Sequence, residues 1–301
     1  MRIAVTGSSG LVGSGLLPFL AAQGHSVTRV VRPGTRPGPD QVVWDPDAGR
    51  IDPAAIGGFD GVVHLAGENI AGARWTSERK TLIRGSRVKS TRLLAGTLAK
   101  LSRPPRVLIS ASATGYYGDR GDELLTEDSP PGAGFPPELC RDWEDAAETA
   151  AQNGIRTVIL RIGVVLSPAG GALARMLPPF KAGLGGPVGS GRQYMSWIAL
   201  DDVAGVIHHA LVNASLVGPV NAVAPESVTN REFTRTLGRV LERPAFFAVP
   251  PFVLRLAFGE MADALLLASV RAVPAKLEAS GYQFLYPELE GALRHVLGKT
   301  K

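Results

Sequence analysis

Arg2-Ile3-Ala4-Val5-Thr6-Gly7-Ser8-Ser9-Gly10-Leu11-Val12-Gly13 opens the chain, and its reading decides the fold. The first five residues are apolar and β-branched, too few for a helix, and stopped by glycine, which predicts a short buried strand. Apolar residues then recur with helical spacing from Leu11 to Gln23. Gly24 ends that segment, and His25 to Val31 predicts a second strand. Strand, glycine turn, helix and strand in this order make half of a dinucleotide-binding unit. Gly7 lets the chain turn sharply at positive φ, Gly10 leaves room for a pyrophosphate, and Gly13 lets the helix pack closely on the sheet. Gly7 through Gly13 is therefore the expected phosphate cradle, with Ser8, Ser9, Leu11 and Val12 between the glycines and the first helical N–H groups facing the anion.

The end of the second strand selects the nucleotide. An acidic residue there would bind the ribose 2′-hydroxyl of NAD. No Asp or Glu occurs between Met1 and Pro39; Arg29, Arg32 and Arg36 occupy the stretch, with Arg32 where the acid would sit. A guanidinium in that place holds a 2′-phosphate and stacks on adenine. The expected cofactor is NADP(H).

The 301 residues suffice for one large α/β domain with an appendage or for two domains, and 45% of them are apolar. The formal charge of +5 is dispersed, with no run of four basic residues, which argues against a nucleic-acid surface while suiting an anionic ligand. Cys140 is the one cysteine, so neither a disulfide framework nor a CxxC metal site is expected. His208 and His209 diverge by about 100° on a helix and cannot chelate one metal. No HExxH, Gly-x-Ser-x-Gly or GxxxxGK[ST] occurs, which excludes the zinc protease, serine hydrolase and P-loop classes. The first strand begins at residue 2 and no apolar run reaches about 18 residues. No leader and no membrane span are expected, and the expectation is a cytoplasmic monomer or homodimer.

Gln41–Trp44, Gly61–Leu65, Val107–Ser110 and Thr157–Leu160 read as further strands, and Thr76–Leu101 and Glu138–Asn153 as helices. The alternation predicts a doubly wound parallel sheet, an α/β fold. Ser167 to Ser196 is glycine-rich and reads as a loop with a short helix. After Asn221 the alternation stops; Thr229 and Glu232 have capping-box spacing, and Phe233, Leu237, Val240 and Leu241 form one apolar face. The expected division is a cofactor domain over 1–223 and a smaller, mainly helical substrate domain over 224–301.

The glycine turn, Arg32, Trp44-Asp45, His64-Leu65-Ala66-Gly67-Glu68-Asn69-Ile70, Arg74-Trp75, Ser86-Arg87, Ser110-Ala111-Ser112-Ala113, Gly115-Tyr116-Tyr117-Gly118, Trp143-Glu144, Arg161-Ile162-Gly163, Gly185-Gly186-Pro187 and Ser196-Trp197-Ile198 carry a resemblance. So do Asn221-Ala222-Val223-Ala224-Pro225, Gly259-Glu260-Met261 and Tyr286-Pro287 in the C-terminal part. The chain resembles an extended short-chain dehydrogenase/reductase of the epimerase/dehydratase superfamily, and more narrowly an atypical NADP-binding subgroup, over essentially its whole length. The resemblance implies a Rossmann fold and places Leu65, Ala66, Gly67, Ser110, Ala111 and Arg161 beside the cofactor. Asp45, just past the third strand, is a candidate acceptor for the adenine amine, and Arg87 a candidate phosphate contact. His64, at the inner end of a buried strand, reads as a core or cofactor-neighbouring residue rather than a catalyst.

In the wider superfamily, hydride transfer uses a serine with a Tyr-x-x-x-Lys pair. Ser112 stands for the serine, but no tyrosine or lysine lies between Tyr117 and Lys181, and Cys140 and Glu144 fall where the pair should be. Three readings stay open. Tyr117, or less readily Tyr116, donates the proton from another direction; Cys140 and Glu144 act as thiol and carboxylate; or the protein binds NADP(H) without turning it over. Ser112 and Tyr117 are the favoured catalytic residues. A tyrosine with no lysine beside it would keep a pKa near 10 and favour reduction over alcohol oxidation. The substrate pocket is expected outside the C-terminal strand ends, with Glu68, Asn69, Trp75 and Trp197 near it and tryptophan faces suited to a sugar or aromatic ring. The expected function is an NADP(H)-dependent oxidoreductase or epimerase acting on a sugar nucleotide or another carbonyl compound; the alternative is a non-catalytic NADP(H)-binding regulator.

Overall fold

Ile3, Ala4 and Val5 are wholly buried, so the opening strand, β1 (Arg2–Thr6), is an inner strand with helices on both faces. The computed structural model describes residues 1–34, 38 and 40–299. Arg36, third of the basic residues that replace the NAD-type acid, lies outside them.

Among the described residues the main sheet has eight strands. They are β1, β2 (Ser26–Val31), β3 (Gln41–Asp45), β4 (Arg50–Ile51), β5 (Gly61–His64), β6 (Val107–Ala113), β7 (Arg156–Ile162) and β8 (Gly218–Ala222). Their spatial order is β8-β7-β6-β5-β1-β2-β3-β4. β1 pairs parallel with β2 and β5, β2 with β3, and β5 with β6, while β4 folds back antiparallel on β3. The expected α/β parallel sheet is the observed one. Its register sets Thr6 beside His64 and His64 beside Ser110, so β1 and β5 end level and β6 runs on past them to Ala113. In open α/β sheets that edge is where ligands bind.

The helices used below are α1 (Leu11–Ala22), α2 (Ser77–Leu98), α3 (Phe135–Gln152), α4 (Gly171–Lys181), α5 (Leu200–Val212), α6 (Asn230–Leu241), α7 (Pro251–Phe258) and α8 (Leu289–Val296). Thr76 caps α2 by accepting the Arg79 N–H, whereas α1 starts at Gly10 with no side-chain cap.

Contacts group the chain into two units that interleave in sequence. One takes residues 1–112, 139–160 and 204–220; the other takes 113–138, 161–203 and 221–301. The last of these exchanges falls between residues 220 and 221. In the first unit, Ala4, Val30, Trp44, Val62, Leu94, Leu98 and Leu108 belong to one core cluster. In the second, Leu173, Leu177, Phe180, Trp197, Phe233, Leu237 and Leu293 belong to another.

Chain 224–299 is mainly helical, as expected. Thr229 and Glu232 form the complete capping box that starts α6, and Phe233, Leu237 and Val240 are buried. The glycine-rich stretch holds an 11-residue helix, α4, and a short strand, Tyr194–Met195, antiparallel to Val228–Thr229. Residues Ala262–Leu267 form a π-helical turn. No helix among the described residues is long and apolar enough to cross a membrane.

Candidate functional site

The glycine turn is built by contacts too close for any side chain. Gly7 has φ +65°, and a Cβ there would lie 2.6 Å from the Leu65 carbonyl carbon. A Cβ on Gly13 would lie 2.3 Å from the Gly7 carbonyl oxygen and 2.7 Å from Ser8 Cα. Gly13 thus seats α1 on the turn itself, rather than on the sheet as expected. Gly10 differs: its nearest neighbour would be the Gly7 oxygen at 3.3 Å, so the space above it is open. Beside that space the first turn of α1 has no acidic residue and no capping side chain. Its N–H groups lack intrahelical partners and carry the positive end of the helix dipole. An open cradle with uncapped N–H groups fits the phosphates of a dinucleotide.

Two residues that the sequence reading passed over hold the cradle in place. Thr6 Oγ1 accepts from the Leu65 and Ala66 N–H groups at 3.2 and 3.3 Å and bonds His64 Nδ1 at 2.7 Å, tying β1 to the end of β5. Arg29, half-buried on β2, donates from Nε to Ser8 Oγ at 3.2 Å. Its signal was present in the arginine run, since Arg29 lies within the strand. Arg32 follows β2 and is exposed. Pro33 next to it lines a cleft of about 540 Å³ with Trp44, Asp45, Arg50, Leu93 and Thr97. Asp45 lines that cleft with both oxygens engaged, Oδ1 by the Ala48 N–H at 3.0 Å and Oδ2 by Arg50 at 3.0 Å. The Ala48 N–H, and after it Arg50, hold its carboxyl below the usual carboxylate range.

His64 is wholly buried, with Nε2 to Thr91 Oγ1 at 2.9 Å, and desolvation pushes its pKa down to about 4. Trp143 Nε1 donates to the same Thr91 oxygen at 2.9 Å. This is a satisfied neutral core histidine, as expected. Ser110 and Ala111 are buried beside it on β6, while Leu65 and Ala66 are half-buried and Gly67 exposed. Arg87 packs its guanidinium against Gly67, where a Cβ would meet Cζ at 3.2 Å, and over the Trp143 ring at 5.0 Å. Burial is the first cause that lowers its pKa.

Ser112 ends this buried row. Its Oγ donates to Glu144 Oε1 at 2.6 Å, both residues being buried, on β6 and α3 of the same unit. Glu144 stands where the resemblance would place the lysine, and Cys140, one helical turn earlier, is buried and forms no disulfide among the described residues.

Four expectations need correction. Tyr117 is wholly inside a core with Leu125, Val223 and Ala272. Its hydroxyl lies 2.7 Å from Asn221 Oδ1 and 3.0 Å from the Thr126 carbonyl, and accepts from Arg161 Nη1 at 3.1 Å. Burial pushes its pKa up. With its hydroxyl engaged by Asn221, Thr126 and Arg161, it is not placed as the proton donor. Tyr117→Phe is expected to cost about 1–3 kcal/mol of stability, the price of stranding buried polar partners, measured by denaturant unfolding. NADPH affinity should not change. Arg161 is no cofactor ligand either: it is buried, packs 3.5 Å from the Tyr116 ring centroid, and donates to the Glu127 carbonyl at 3.0 Å. Trp197 is fully buried in the second unit's core, and Trp75 is buried with Nε1 donating to the Ile70 carbonyl at 2.8 Å. Neither offers an open stacking face. Glu68 is half-buried and paired with Arg79 at 3.0 Å; Asn69 is exposed, and its Oδ1 accepts the Ala71 N–H. No group of three or more His, Cys, Asp or Glu among the described residues could hold a metal.

The profile of the NAD dependent epimerase/dehydratase family matches residues 3–222, and a domain of unknown function, DUF1731, matches residues 249–296. The chain is similar to an epimerase family protein of Mycobacterium bovis, 45% identical over 97% of this chain and 96% of that one. It is also similar to epimerase family protein SDR39U1 of Homo sapiens, 40% identical over 99% of this chain and 100% of that one. The crystal structure of the human protein with NADPH superposes with a TM-score of 0.92, at 38% identity and covering 100% of both chains. With the glycine cradle, the parallel sheet and a profile match over residues 3–222, the chain belongs to the NAD dependent epimerase/dehydratase family.

Proposed function

We propose that the protein is an NADP(H)-dependent oxidoreductase or epimerase whose proton is moved by Ser112 and Glu144 in place of a Tyr-x-x-x-Lys pair. The observation that carries this reading is the buried 2.6 Å hydrogen bond from Ser112 Oγ to Glu144 Oε1 at the mouth of β6. The open cradle at Gly10, the uncapped start of α1 and the NADPH of the similar human structure support the cofactor assignment. Gly7–Gly13 would hold the pyrophosphate, with Arg29 bracing Ser8. Arg32 would take the 2′-phosphate, and the cleft beside Pro33 and Asp45 the adenine.

When bound, the nicotinamide accepts or supplies the hydride; the protein's residues handle the proton. In alcohol oxidation the substrate hydroxyl gives its proton to Ser112 Oγ as the serine proton passes to Glu144 Oε1. Carbonyl reduction runs the same transfers backwards. A serine hydroxyl alone is a feeble base at neutral pH, so the carboxylate behind it makes the relay workable. Arg87 over Trp143 keeps a cation beside Gly67 at the end of β5. With a carboxylate in this place, the bias towards reduction expected for a lone tyrosine disappears, and oxidation and reduction both become accessible.

Following NADPH and NADP⁺ by absorbance against a panel of sugar nucleotides, carbonyl compounds and alcohols tests the reading. Turnover of some substrate, lost in Ser112→Ala, is expected. Calorimetry should give NADPH at least tenfold tighter than NADH, about 1.4 kcal/mol, and Arg32→Ala should lose that preference. Tight NADPH binding with no turnover across the panel would favour the regulatory alternative.

A further inference from the structure

A second basic site lies within the other unit. Tyr194 pairs across the short antiparallel ladder with Thr229, and the two line a cleft of about 260 Å³ with Asp122, Gly191, Arg192 and Arg231. Arg271 stacks its guanidinium over the Tyr194 ring at 4.8 Å. Arg231, first residue after the α6 N-terminal asparagine, donates Nη2 to the Ser190 carbonyl at 2.9 Å, which fixes its position. Arg192 is exposed, and its guanidinium has no hydrogen-bond or ion-pair partner among the described residues. Asp122 is the one acid lining the cleft, against Arg192 and Arg231 in the lining and Arg271 at its edge.

The backbone is built to hold this arrangement. Gly191 has φ +70°, and a Cβ there would lie 3.2 Å from Arg231 Cβ, so the turn presses directly on that arginine. Between Arg192 and Tyr194, buried Gln193 donates Nε2 to the Val188 and Leu266 carbonyls, both at 3.0 Å. Leu266 belongs to the π-helical turn, whose wider winding leaves carbonyls for such a partner. Gln193 faces inward, so its neighbours Arg192 and Tyr194 are displayed by a rigid, deliberately anchored segment.

We propose that this cleft binds the phosphoryl group of a small phosphomonoester. Three guanidinium groups against one carboxylate suit a dianion, and arginine's planar fork matches phosphate oxygens two at a time. The Tyr194 face offers an apolar surface to the few carbon atoms next to the phosphate. The volume sets the size: about 260 Å³ is below the span of pockets that enclose drug-sized ligands, about 300–1,000 Å³. A phosphate with a short attached moiety fills it. The binding does not depend on the oxidoreductase reading above.

The test is calorimetric titration of the full chain, first saturated with NADPH so that the cradle is filled, with inorganic phosphate, a hexose 6-phosphate and a nucleoside diphosphate at one fixed ionic strength. Saturable binding of the hexose phosphate is expected, weakened at least tenfold in Arg192→Ala and Arg231→Ala. The nucleoside diphosphate should bind no more tightly than the hexose phosphate. Unaltered circular dichroism and NADPH affinity in the variants would show that the loss is local. Absence of saturable phosphate binding, equal binding in the variants, or a nucleoside diphosphate preferred by tenfold or more would overturn the proposal. Failure of NADPH to bind would instead count against the oxidoreductase reading, and the phosphate titration can be read without it.

Discussion

Glu144→Gln should lower turnover by about 10²-fold or more, the scale of losing a general acid–base group, while leaving NADPH affinity within twofold. The amide keeps the size of the carboxylate and can still accept a hydrogen bond from Ser112 through its carbonyl oxygen. It cannot take the proton. The buried 2.6 Å contact would survive as geometry and fail as chemistry. Glu144→Ala would confound the two by opening a cavity beside Ser112, so the isosteric change is the cleaner experiment. The loss should appear in kcat and kcat/KM together, because the proton moves in the transition state and contributes little to ground-state binding. Ser112→Ala should fall as far, and the double variant should be little worse than either single one, since the two act as one relay. Full activity in Glu144→Gln would return the proton to water or to a group elsewhere in the chain.

The fold was open to sequence reading because its signals are local. Gly7, Gly10 and Gly13 sit between a strand and a helix, and each element around them carries its own periodicity. The replacement of the NAD-type acid by Arg32 is likewise a one-position signal. Candidates for the proton transfer were harder, because buried partners meet across long separations: Ser112 and Glu144 lie 32 positions apart, and Tyr117 and Asn221 lie 104 apart. Proximity in sequence therefore favoured Tyr117, whose short 3₁₀ turn after β6 carries it into a core. Trp75 and Trp197 were misjudged for a related reason. A tryptophan near a motif suggests a binding face, yet its size also makes it an effective core filler, and composition does not distinguish the two. The pair Cys140 and Glu144 was visible as a departure from the resemblance, but only the contact with Ser112 suggests the task proposed for the carboxylate.

Lowering the pH from 7 to 4 should remove about 3 kcal/mol of stability through His64 alone. Its ring is wholly buried, with Thr6 on Nδ1, Thr91 and more distantly Ser90 on Nε2, and Trp44 edge-on at 5.8 Å. Desolvation therefore sets its folded pKa at about 4, against an ordinary 6.5. Between these values the unfolded chain binds a proton that the folded protein refuses. The stabilisation is complete above pH 6.5 and is lost as the pH falls through 4, at about 1.36 kcal/mol per unit. His25, His208 and His209 are also lowered, first by burial, and add in the same sense, whereas the raised carboxyl of buried Asp202 acts in the opposite one. The informative quantity is thus the difference between wild type and His64→Gln in denaturant unfolding across pH 4–7. The variant should be less stable at pH 7, having lost the Thr6 and Thr91 bonds, but its stability should fall with a slope shallower by up to one proton. Because Thr6 also holds the Leu65 and Ala66 N–H groups, protonation of His64 should loosen the end of β5 that presses on Gly7. NADPH affinity should therefore fall over the same pH range in the wild type and more weakly in the variant; equal slopes in the two proteins would remove His64 from the acid response.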